Sequence, residues 1–252
     1  TGACPMSLSS IVACCWVALL PPACLAQDVT HPLGDSADTP ATAAVMQEMA
    51  APLAAALHLR LTPLRAPAPG DSARAAALLA AIQDRVARYR DVRVAVADGY
   101  RPFLPGVKQP VYHYTSRRNA LAERFRFDPA APTSLLYRQD STGRLVLIGV
   151  MYSAAPRATL EELDRRVPLA IARWHQHVNL CLPARGARVR WRDSSSGRPI
   201  FGPQSLIATP EACAAVGGRF VPRMFGWMVH INAFADDPAA VWTGHEMHDH
   251  TR

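Results

Sequence analysis

The chain has 252 residues, 50% of them hydrophobic, enough for one sizeable core or two small ones. A net charge of +7 and a pI near 9.4 invite a nucleic-acid role. Lys108 is the lone lysine, however, and the arginines are scattered, without the glycine- and aromatic-interleaved pattern of an RNA-binding sheet. Nucleic acid is therefore excluded as a partner, leaving solvated surface charge with a weak attraction to anionic envelope surfaces.

Residues 1–26 carry no charged side chain. An apolar run over 11–20, then Pro21-Pro22 and Ala23-Cys24-Leu25-Ala26, is too short to span a membrane. It suits a signal peptide cleaved after Ala26, with Met6 as initiator and Cys24 as a lesser candidate for lipidation. A periplasmic or secreted protein with no transmembrane span is expected. Four of the six cysteines fall in this leader, so the mature chain keeps Cys181 and Cys213. In an oxidising compartment that pair reads as one disulfide, closing a loop of about 32 residues and stabilising by about 3–4 kcal/mol.

Residues 27–40 read as a disordered linker, 41–235 as a single domain and 236–252 as a polar, histidine-rich tail. Val45, Met46, Met49, Leu53 and Leu57 recur at helical spacing and predict a helix over 42–59. Met46, Met49 and His58 are soft donors on that segment, but a Met stripe at this spacing belongs first to a core. A proline-rich linker over 62–70 precedes a long second helix, capped at Asp71 or Ser72 and reaching about Ala97. Residues 111–115 predict a strand. The segments 134–138 and 145–152 flank Asp140-Ser141-Thr142-Gly143 and predict a β-hairpin. Thr159 with Glu162 forms a capping-box pattern opening a helix over 160–166. Residues 169–182 read as strand in preference to helix, 183–222 as long irregular connections and 225–234 as a buried strand. The expected fold is α+β, two N-terminal helices packed on a curved, mainly antiparallel β-sheet.

The chemistry concentrates in Trp174-His175-Gln176-His177-Val178-Asn179-Leu180-Cys181 and Trp227-Met228-Val229-His230-Ile231-Asn232. Alternate residues of a strand share a face, so His175, His177 and Cys181 align on the first strand and Met228, His230 and Asn232 on the second. Three imidazoles on rigid strands are a donor set for copper or zinc. The expected metal ligands are His175, His177 and His230, with His113 as a fourth and Met228 as a neighbouring soft donor. Asn179 and Asn232 are candidate partners for the remaining ring N–H groups. The alternative reading of these histidines is hydrogen-bonded core or groove residues. His245, His248 and His250 make the tail a separate, looser metal candidate. No G-x-S-x-G and no phosphate-loop context occurs, and Glu161-Glu162 fits a solvated helix turn.

His113-Tyr114, then Asp128-Pro129, Pro132 and Leu135-Leu136-Tyr137, then the hairpin Gly143-Arg144-Leu145 to Gly149-Val150-Met151-Tyr152, together resemble a broad set of exported bacterial proteins of unknown function. In those proteins a later strand also carries a histidine, as His230 does here. The resemblance implies a shared layout for His113 and His230 and brings no activity. The H-x-H followed by a lone histidine is slightly similar to cupins, but the expected Glu and glycine spacing are absent.

These residues support three functions: an exported copper- or zinc-binding protein in envelope metal handling; a secreted metalloenzyme, hydrolase or oxidoreductase, acting on a small-molecule substrate from a three-histidine site; or a non-metal binding or structural module.

Overall fold

The structure is a computed structural model that describes residues 53, 55–103, 105 and 109–243. The leader, the linker over 27–40, most of the helix expected over 42–59 and the tail histidines 245, 248 and 250 lie outside the described residues.

The architecture is α+β. Seven strands form one sheet in the order β1 (Leu59–Leu61), β6 (His175–Pro183), β9 (Gly218–Ile231), β5 (Leu145–Ala154), β4 (Ser134–Gln139), β3 (Tyr112–Thr115) and β2 (Arg101–Pro102). Every neighbouring pair is antiparallel. A separate two-stranded ribbon joins β7 (Ser194–Ser195) to β8 (Arg198–Pro199). β2 to β5 run as a meander, whereas β9, the last strand among the described residues, lies centrally between β6 and β5. Among the described residues no helix is long and apolar enough to cross a membrane.

Helix α1 (Asp71–Val86) covers one face of the sheet. Ala75, Leu78, Ile82 and Val86, three or four residues apart, form its buried stripe and join Leu135, Tyr137, Val150, Tyr152, Val229 and Ile231 in the core. The residue before the helix is Gly70, with φ of 88° and no side-chain cap, so neither Asp71 nor Ser72 acts as N-cap. Asp71 instead accepts from the Ala68 N–H at 2.7 Å and from Arg65 at 2.6 and 2.8 Å. Arg65 also donates to Asp164 of α4 (Leu160–Arg166) at 2.7 and 2.9 Å, tying the two helix ends together. The Arg65 guanidinium holds the Asp71 carboxyl well below the usual carboxylate range.

The second helix does not run unbroken to residue 97. After a 3-10 turn over Ala87–Arg90 the backbone extends at Asp91, whose side chain accepts from the Arg93 N–H and caps α2 (Val92–Ala97). Asp91 offers the backbone this local alternative to a continuous helix. Residues 55–58 are helical, but Leu59 leaves the expected helix and with Arg60 and Leu61 pairs with β6 as edge strand β1.

The hairpin turns on Asp140, whose carboxylate accepts from the N–H groups of Thr142 and Arg144, with Gly143 at φ 83°. α4 opens on the full capping box of Thr159 and Glu162. β9 begins at Gly218, seven residues before the expected 225, and ends at Ile231. Its first half pairs with β6 alone, so the missing N–H of Pro222 leaves no ladder partner unsatisfied on the other side. The region expected to be irregular also contains α5 (Pro210–Ala215), capped by Thr209 and carrying Cys213. Cys181 and Cys213 are disulfide-bonded, with Cα atoms 5.4 Å apart, and pack with Phe201. After β9 the chain returns to the core, where Val241 is buried and accepts from the Asn232 N–H at 2.9 Å.

Candidate functional site

The sheet face opposite α1 carries His113 and Thr115 from β3, Ser134 from β4, Met151 and Ser153 from β5, Met228 and His230 from β9, and His175 and His177 from β6. All line one cavity of about 1620 Å³. Register explains the grouping: Met151 stands across from His230 and His175 across from Met228. The four histidines form a continuous row. Ring centroids are 5.4 Å apart for His113 and His230, 5.1 Å for His230 and His175, and 5.4 Å for His175 and His177. As the side chains stand, no three His, Cys, Asp or Glu residues among the described residues form a group able to hold a metal ion. Burial pushes the His113 imidazole down to about 4, against a hydrogen bond with the Val111 backbone. His177 also falls to about 4, first by burial and then through His113 and His58.

Cys181 does not share the histidine surface. Cys181 lies outside the cavity lining, in the disulfide cluster with Phe201, and Asn179, at φ 55°, stands between it and His177. Asn179 and Asn232 donate through Nδ2 to the carbonyls of Leu57 and Ala240, at 3.4 and 2.9 Å. His58 lines the same cavity, with Nε2 donating to the Ser205 carbonyl at 2.7 Å.

Behind the wall lies a carboxyl the sequence did not single out. Glu123 is 1% exposed. Its Oε2 accepts from the Thr133 hydroxyl at 2.6 Å, the Ser153 hydroxyl at 3.1 Å and the Ser153 N–H. Oε1 has no hydrogen-bond partner among the described residues. Burial pushes this carboxyl up to about 7, opposed by the Thr133 and Ser153 hydrogen bonds. Thr133 and Ser153 both face the cavity and are 2.7 Å apart, so a hydroxyl pair separates Glu123 from its interior. The available signal was polar residues at alternate positions of apolar strands: Thr115, Ser134 and Ser153.

The bulge in β9 shapes the rim. His175 pairs with Met228 but His177 with Met224, so extra residues, Phe225 among them, loop out of the ladder. Phe225 sits at φ 65°, a costly conformation for a bulky side chain, and its ring meets Phe103 at 5.9 Å. A Cβ at the following Gly226 would collide with the Ala154 carbonyl, so β5 and the bulge approach closely only with glycine there. Arg101, Arg117, Arg118 and Arg124 complete the rim. All four fall under the general surface charge read from the sequence, and only the folded chain brings them to one cavity.

No protein-family model matches this chain, and neither a curated protein nor a solved structure is significantly similar to it.

Proposed function

We propose that this is an exported metal-binding protein, periplasmic or secreted, in which His175, His177 and His230 take a copper or zinc ion with His113 as a fourth donor. The spacing of the histidine row carries this reading. A ring bound at about 2.0–2.1 Å has its centroid about 3.2 Å from the ion, so two rings at a tetrahedral centre stand about 5.2 Å apart. Adjacent rings here are 5.1–5.4 Å apart, and rotations of the side chains are what closure on one ion requires. Met228 supplies a soft donor at the same wall, which favours copper. Envelope metal handling is the role that follows, in keeping with the resemblance to exported proteins. The tail histidines 245, 248 and 250 form a second, loose component.

The cavity's volume favours a second reading, a metalloenzyme whose ion keeps an open position for a small-molecule substrate. Metal analysis of purified protein loaded with copper or zinc tests the first. We expect about one tightly held ion per chain, lost on His175→Ala, His177→Ala or His230→Ala. His248→Ala should weaken only a loose excess. Absence of a tight ion, or retention in all three variants, overturns the metal reading.

A further inference from the structure

We propose that the cavity also binds an amphiphilic anion: one acyl chain inside, its negatively charged headgroup at the arginine rim. This requires no ion on the histidines.

Volume gives the first reason. Small-molecule sites usually enclose about 300–1,000 Å³. The cavity, at about 1620 Å³ with a mainly apolar wall, is far larger than any ion needs. Charge gives the second. Arg101, Arg117, Arg118 and Arg124 line the opening, and Asp98 is the only carboxylate among the described lining residues. Asp98 is already engaged by Arg88 at 2.8 Å and by the Tyr89 hydroxyl at 2.9 Å. Arg101 is fixed by donating to the Val96 and Tyr100 carbonyls at 2.6 and 2.8 Å. Arg117, Arg118 and Arg124 form no ion pair among the described residues, so positive charge predominates among the described residues at the mouth. Guanidinium groups suit carboxylate, sulfate and phosphate alike.

The rim's apolar groups give the third reason. Phe225 remains 54% exposed although its backbone is strained into place beside Phe103. Strain kept to present a ring to solvent marks a site where that ring meets a ligand. On the arginine-bearing segment, which includes α3 (Arg117–Ala122), Leu121 is 58% and Phe125 83% exposed. Arginines interleaved with exposed apolar side chains suit the headgroup region of a bilayer or micelle, from which such a ligand would enter.

Calorimetric titration of chelator-treated, metal-free protein with decanoate, decan-1-ol and decylamine, below their micellar concentrations, tests this. Decanoate should bind at least about tenfold more tightly than the alcohol, the amine least, and decanoate should weaken with added salt. In the triple variant Arg117→Ala/Arg118→Ala/Arg124→Ala, whose changes are on exposed side chains, the acid–alcohol difference should shrink to less than about threefold. Phe225→Ala should weaken acid and alcohol alike. Equal binding of acid and alcohol, discrimination unchanged in the triple variant, inorganic phosphate alone displacing decanoate, or no decanoate binding would each overturn the proposal. Running the titration without metal separates its failure from that of the histidine site.

Discussion

Consecutive residues of β5 and β9 serve opposite purposes. Val150, Tyr152, Val229 and Ile231 are sealed against α1, while Met151, Ser153, Met228 and His230 face the cavity. A strand's two-residue period lets one backbone carry a dry core and a cavity wall without compromise between them. The contrast teaches that core packing and cavity lining are divided here by side of sheet, not by segment of chain. Substitutions one residue apart should therefore have unlike consequences.

The hardest test of that division is Ile231→Ala, which should cost about 2–5 kcal/mol in denaturant unfolding, since it empties a fully buried site. His230→Ala, its neighbour, should cost below about 1.5 kcal/mol while removing metal. Equal losses would break the comparison. Replacing Cys181 and Cys213 together by alanine should cost about 3–4 kcal/mol through the freed loop, yet leave metal stoichiometry unchanged because neither lines the cavity.

Glu123 sharpens the contrast, being a titrating group buried behind the cavity wall. Its carboxyl ordinarily titrates near 4.5 and in the fold near 7, so the folded state holds the proton more tightly. Stability should be fullest below about pH 4.5 and fall as pH rises to about 7, by no more than about 3 kcal/mol. Urea midpoints across that range should flatten in Glu123→Gln; an unchanged slope would remove Glu123 as the cause. The smallest effect is expected at the rim. Phe225→Gly relieves a left-handed φ and should raise stability by up to about 1 kcal/mol, with decanoate binding falling in the same protein.

Features written in adjacent residues were legible in the sequence. The Asp140–Gly143 turn, the Thr159 capping box and the strand alternation around His175 and His230 rest on local hydrogen bonding and periodicity. The cysteine pair followed from composition. What escaped depends on distant partners. Leu59 and Leu61 extend only because His177 and His175 stand opposite them in β6. The outer half of β9 was hidden by Pro222, whose tolerance depends on a neighbour being present on one side alone. Met151, Glu123 and the rim arginines have no shared spacing, and only sheet closure gathers them.

Because β9 is the last strand among the described residues yet stands between β6 and β5, the order of synthesis runs against the order of assembly. A growing chain that ends before Gly218 can pair β2 through β5, and β1 with β6, but leaves an open edge on each piece. Open edges pair with whatever strand is nearest, another molecule included. Correct closure waits for residues from 218 to 231 to insert between the two pieces, a step dominated by contacts distant in sequence and therefore slow. A nascent chain thus carries two open edges until β9 arrives, and truncation into β9 should yield aggregate instead of a smaller folded protein.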